Sequence, residues 1–167
     1  MPPAGSAERA CQDDRVLTFR LAVRSDVPEI LALYADDDVS RARDGAVSET
    51  ADAAHWAAFE AIDADPGNEL VVAVDDDGAV VGTFQLTFTP SLSRGGSSRM
   101  TIEAVRVRGD LRGRGVGRRM MQWALDRGRE RGCGLAQLTS DKNRSDAHRF
   151  YESLGFTSSH VGMKRPL

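Results

Sequence analysis

Apolar positions along the chain follow a two-residue period in some stretches and a helical period in others, and the changes of period mark out the elements. LTFRLAV (17–23) alternates well enough for a first strand. Ser25 can then cap a helix beginning near Val27-Pro28, with proline in the first turn where its missing N–H costs nothing. Ile30, Leu31, Leu33 and Tyr34 give that helix one apolar face. A second helix is expected over 50–63, where Ala54, Ala57, Ala58 and Ala61 recur with Trp56 and Phe59, and Asp65-Pro66-Gly67-Asn68 ends it. ELVVAV (69–74) and AVVGTFQLTF (79–88) flank an Asp-Gly turn and predict a hairpin. After a loop over 91–98, MTIEAVRVR (100–108) reads as a strand. Val116, Met120, Trp123 and Ala124 share one face of a helix over 115–131, and LAQLTS (135–140) is a short strand. Ser145 can cap a helix holding Ala147, Phe150, Tyr151 and Leu154, which Gly155 stops. FTSSHVGMKR (156–165) is expected to complete the sheet. This order predicts an α/β (α+β) fold: a mixed, mostly antiparallel sheet of six to seven strands with about four helices on its faces.

The strand at 100–108 breaks its own rhythm. Ile102 and Ala104 are apolar on one parity, whereas Val105 and Val107 take the other and alternate with Arg106 and Arg108. One extra residue at the slip, a β-bulge, restores the register, and bulges often stand beside functional sites. A strand buried on both faces is the competing reading, because alternation then means little.

That strand leads into LRGRGVGRRMMQWAL (111–125), in which glycine alternates with arginine before a helix begins. Glycines let successive N–H groups converge on one point. The helix that follows offers unpaired N–H groups and the positive end of its dipole. Arginines add forked, charged donors. Arg112, Gly113, Arg114, Gly115, Val116, Gly117 and Arg118 therefore make a candidate receptor for a pyrophosphate. A merely basic turn is the plain alternative. A dinucleotide fingerprint should open a first βα unit, whereas this loop lies two-thirds along the chain with its third glycine one place early. No Gly-Lys-Ser/Thr ending makes it a nucleotide-binding P-loop.

Charge changes the picture in one respect. The net charge of −3 argues against a protein devoted to nucleic acid. Yet six arginines and one aspartate lie between Arg106 and Arg119, while Asp36–Asp38 and Asp75–Asp77 are acidic clusters. A local basic site on an acidic chain suits a small polyanion. The 167 residues fit one domain, expected over 16–167, with a loose tail over 1–15. Cys11 and Cys133 make no disulfide framework, which points to the cytoplasm, and no apolar run suggests a membrane partner.

Two blocks then carry a resemblance. IEAVRVRGDLRGRGVGRRMMQWAL resembles the acetyl-CoA segment of the GNAT N-acetyltransferase superfamily, whose Gln/Arg-x-x-Gly-x-Gly/Ala loop falls on Arg112, Gly115 and Gly117. DAHRFYESLGF (146–156) resembles the superfamily's second recurring block, Phe-Tyr-x-x-x-Gly-Phe. Both stand in the expected order and separation, and the likeness spans about residues 16–165. It is strongest to small-molecule amine acetyltransferases, such as those of amino-sugar phosphates and aminoalkylphosphonates. The resemblance implies acetyl-CoA as cosubstrate, a small-molecule amine as acceptor and, as is common in the family, a homodimer. A protein or peptide acetyltransferase and a non-catalytic module that senses coenzyme A or another nucleotide are the alternatives.

Amide formation from a thioester needs a proton taken from the amine, a stabilised oxyanion and a neutralised thiolate. Glu103, just before the proposed bulge, is the candidate base, since partial burial would raise its pKa towards the working range; an exposed strand carboxylate is the alternative. Backbone N–H groups freed near Ala104–Arg106 can serve the oxyanion. The resemblance implies that the Val105, Arg106 and Val107 backbone pairs with the pantetheine arm, leaving the Arg106 and Arg108 side chains directed elsewhere. It also places Tyr151 where the family's general acid stands, against a core role beside Phe150 and Phe156. Many relatives hold an asparagine seven residues before that tyrosine. Here the position is Arg144, with Asn143 one step earlier, so either could meet the cofactor. Cys133 reads as small filler rather than a nucleophile. His55, His148 and His160 lack metal-ligand spacing, so no metal is expected.

Overall fold

A computed structural model describes residues 15–36 and 50–167. Residues 1–14 of the expected tail and the acidic residues Asp37 and Asp38 lie outside the described residues.

Five strands form one sheet in sequential order: β1 (Thr18–Leu21), β2 (Asn68–Val74), β3 (Val80–Thr89), β4 (Ser98–Val107) and β5 (Cys133–Leu138). The first four pair antiparallel and β5 pairs parallel to β4, so the sheet is mixed. Helices α1 (Val27–Ala35) and α2 (Ala53–Ala64) cover one face, and α3 (Val116–Glu130) covers the other; α4 (Ser145–Glu152) follows β5. A core lies on each face. Val71, Phe84, Leu86, Met100 and Ile102 pack with Met120, Met121 and Ala124 of α3. Val72 and Val80 face Ile30, Leu31 and Leu33 of α1 with Phe59 of α2. Adjacent valines Val71 and Val72 thus serve opposite cores, which is why β2 reads as a continuous apolar run.

Polar groups pin the layers. Asp26 accepts from Arg20 Nη1 at 2.6 Å and Nη2 at 2.9 Å, and takes the Val23 N–H at 2.7 Å, which fixes the entry to α1. That carboxylate, rather than the anticipated Ser25, organises the turn. Glu69 of β2 is buried and holds Arg127 of α3 through contacts of 2.7–3.2 Å. Asp52 caps α2 through the Ala54 and His55 N–H groups, both at 3.0 Å. At α4, Arg144 occupies the cap position and Ser145 is the first helical residue.

The expected strand over 156–165 does not form, so the described sheet has five strands rather than six or seven. Its residues explain why. Thr157, Ser158, Ser159 and His160 offer no apolar face, and Val161 and Met163 stay 84% and 93% exposed. Strand pairing there would bury too little surface to offset the ordering cost.

Candidate functional site: a bulged strand edge beside a basic helix start

The phase slip in β4 is a bulge. Glu103 pairs with Gln85 and Arg106 with Thr83, so Phe84 alone faces both Ala104 and Val105. Ala104 takes the left-handed conformation, with φ +52°. Past the slip, Val105 and Val107 turn to the α3 core, as the change in parity requires. The β5 ladder also stops here, since its last partner is Ile102 with Leu138. The edge of β4 over residues 103–107 is therefore released from β5.

At the end of this open edge lies the glycine–arginine loop. Gly113 and Gly115 have φ +76° and +91°, a conformation that favours glycine. Gly115 is the cap of the 15-residue helix α3, and it has no side chain to cap with. The first turn contains no acidic residue either. An ordinary helix of this length satisfies its leading N–H groups with Ser, Thr, Asp or Asn. Here those donors stand beside exposed Arg114 and Arg118, an arrangement that suits an anion. Arg118 Nη2 also donates to Ser153 Oγ at 2.9 Å, joining the start of α3 to the end of α4.

Arg112 is already engaged within the protein. Its Nε donates to the Val107 carbonyl at 3.1 Å, and its Nη2 reaches the Asp36 carbonyl at 2.6 Å and Oδ2 at 2.9 Å. The first arginine of the loop thus fastens the end of β4 to the end of α1. Patterning alone gave no sign of this contact, because the partners are 76 residues apart.

The candidate catalytic groups flank the open edge. Glu103 is exposed, which corrects the expectation of partial burial: the sheet leaves its side chain in solvent at the splayed end of β4. Tyr151 is half-buried on α4, with its ring 5.2 Å from Phe150 and 6.0 Å from Phe156. Burial pushes the Tyr151 phenol above the usual tyrosine pKa, and the positive charges of Arg144 and Arg106 pull it back. Arg144 is therefore electrically coupled to Tyr151, whereas Asn143 is exposed and donates its backbone N–H to Asp141 Oδ1 at 2.9 Å. The Arg106 side chain is half-buried beside Tyr34 of α1. Cys133 begins β5, and burial raises its thiol pKa, the opposite of what a nucleophilic thiolate needs. Among the described residues no cluster of histidine, cysteine and carboxylate could hold a metal ion.

The fold and site thus define a mixed α/β protein with one strand edge opened by a bulge, next to a helix whose basic start has no side-chain cap. Comparison with known proteins gives that class a family. The chain belongs to the acetyltransferase (GNAT) family, whose profile matches residues 27–156. It is 30% identical over 129 residues to streptothricin acetyltransferase of Streptomyces lavendulae, a match covering 77% of this chain and 58% of that protein. It is 33% identical over 66 residues to aminoalkylphosphonate N-acetyltransferase of Salmonella typhimurium, covering 40% of this chain and 43% of that one. The chain thus spans about half the length of these curated relatives. Among solved structures it is similar to a protein of Bacillus halodurans C-125 described as a transcriptional regulator. That pair shares 43% identity with a TM-score of 0.85, covering 91% of this chain and 100% of the other.

Proposed function

We propose that this protein transfers the acetyl group of acetyl-CoA directly to a primary amine of a small molecule. The observation that carries the reading is the bulge at Ala104, which opens the β4 edge within reach of the uncapped start of α3. The residues present suit the cosubstrate. Backbone N–H groups of 115–118, with Arg114 and Arg118, would hold its diphosphate, and Asn143 or Arg144 would add a contact beside it. Along the open edge the backbone of Val105 and Val107 would pair with its pantetheine arm, as an added strand does, whereas Arg106, expected to share that role, turns its backbone to Thr83 of β3. Acetyl-CoA would supply the activated acetyl thioester.

The chain's own groups then divide the work. The ammonium of the acceptor must lose a proton before it can attack. Glu103, being exposed, accepts that proton through water. Backbone N–H groups of the bulge stabilise the oxyanion. Tyr151 protonates or hydrogen-bonds the departing thiolate, and the nearby cations Arg144 and Arg106 favour that proton's departure. No covalent enzyme intermediate is required. The same reading includes a cytoplasmic homodimer, the oligomeric part of which light scattering checks. Among the described residues, no helix is long and apolar enough to cross a membrane.

The test is release of free thiol from acetyl-CoA across a panel of amino sugars, aminophosphonates, polyamines and peptides. Glu103→Gln should cut turnover while coenzyme A still binds. Turnover confined to peptides would replace the small-molecule acceptor with a protein one. A second reading, a module that binds coenzyme A and regulates without turnover, is favoured by the relative described as a transcriptional regulator. It predicts binding with no thiol release on any amine.

A further inference from the structure

Glu103 and Arg106 are three residues apart, and in a regular strand an odd separation sends side chains to opposite faces. The bulge reverses that. Their partners Gln85 and Thr83 are two residues apart on β3, so Glu103 and Arg106 leave the sheet on the same face. It is the face that α1 covers: the guanidinium carbon of Arg106 lies 5.7 Å from the centroid of the Tyr34 ring, in the last turn of α1. The neighbours Val105 and Val107 pack on the opposite face, against the α3 core. Two residues on β3 correspond to about 7 Å along the strand. One carboxylate and one guanidinium thus stand side by side on the face turned away from α3 and its phosphate-binding start.

We propose that Arg106 selects the acceptor, receiving a carboxylate, phosphonate or phosphate carried on the same short carbon skeleton as the amine that Glu103 serves. This rests on the acetyltransferase reading and names its substrate class: a small zwitterion. Three features support it. The side chain is half-buried, and an arginine partly withdrawn from water binds an oxyanion more strongly than an exposed one. The tyrosine face beneath it limits the motion of the guanidinium fork. Its charge is felt by both Tyr34 and Tyr151, which places the guanidinium electrically inside the site. Arg106 Nη1 donates to the Val105 carbonyl at 2.8 Å, which also orients the fork, and its backbone faces Thr83 of β3, so this position meets the ligand through its side chain.

The experiment compares 3-aminopropylphosphonate, propylamine and 1,3-diaminopropane, in turnover and in calorimetric binding to the protein–coenzyme A complex. The wild-type protein should prefer the phosphonate to propylamine by roughly 10- to 150-fold in kcat/KM, the factor expected of one charged hydrogen bond. Arg106→Gln should bring that ratio to within about threefold of unity, Arg106→Lys should recover part of it, and Arg106→Glu should turn the preference towards the diamine. A wild-type protein that binds and acetylates propylamine as well as the phosphonate overturns the proposal, as does an unchanged ratio in Arg106→Gln. Should no amine be acetylated while the binding preference follows Arg106 as described, the anion site stands and the acetyltransferase reading falls.

Discussion

The paired substitutions Gly115→Ala and Gly117→Ala separate what the loop does for folding from what it does for binding. Gly115, at φ +91°, caps α3; an alanine there must either hold a left-handed conformation or let the loop relax. Holding it costs about 1–2 kcal/mol. Reduced freedom of the unfolded chain returns about 0.4–1 kcal/mol, so the net loss of stability is about 1 kcal/mol. Relaxing it instead turns the leading N–H groups of α3 away from their common point. Gly117 differs: it lies inside α3, and an added Cβ would sit 3.5 Å from Phe150 Cζ and 3.8 Å from Val107 Cγ2, ordinary contact distances. Helix propensity alone then favours Gly117→Ala by about 1 kcal/mol. Urea unfolding and calorimetric titration with coenzyme A should therefore diverge. Gly117→Ala should unfold at higher urea and bind within a few-fold of wild type. Gly115→Ala should be slightly less stable yet bind at least about tenfold more weakly, a loss near 1.4 kcal/mol. Equal affinity in the two variants would refute the assignment of the α3 start as the anion site.

Three further outcomes follow from named contacts. Tyr151→Phe should lower kcat more than it raises the acetyl-CoA KM. Because the acid works protonated and burial raises its pKa, wild-type kcat should hold below the tyrosine range and fall only above pH about 10, a limb absent in Tyr151→Phe. Arg127→Met would leave Glu69 buried without its bidentate partner. Loss of a fully buried pair costs about 3–5 kcal/mol; since Arg127 is 32% exposed and Arg131 remains 3.9 Å away, about 2 kcal/mol is expected in urea unfolding. The Asp26 carboxyl is held below its usual pKa, first by the Arg20 hydrogen bonds. Its contribution is thus complete above pH about 4 and lost as pH falls through the lower folded value. The stability gap between wild type and Asp26→Asn should be flat at neutral pH and close in acid; a gap that persisted to pH about 2 would contradict the pairing.

What the sequence disclosed and what it hid divide along one physical line. Periodicity reports which face a side chain takes, so α1, the β2–β3 hairpin and α3 were all legible. So was the slip between Ala104 and Val105, since a bulge is a change of parity and parity is visible in one dimension. The expected last strand is absent because, past Phe156, which packs on Tyr151, the only apolar members of the stretch, Val161 and Met163, have nothing to bury against. Arg112's attachment to Asp36 was invisible for the opposite reason: charge pairing across the fold leaves no period. The site lies where these two kinds of information meet. A bulge legible in sequence fixes which side chains share a face, and only the fold shows that Tyr34 lies behind one of them. Glu103 and Arg106 look unrelated at a spacing of three; the single extra residue that opens the strand edge also brings them onto one face. A regular β4 would lose both at once, keeping its ladder to β5 and separating the carboxylate from the guanidinium by the thickness of the sheet. Edge and pair therefore share a single structural cause.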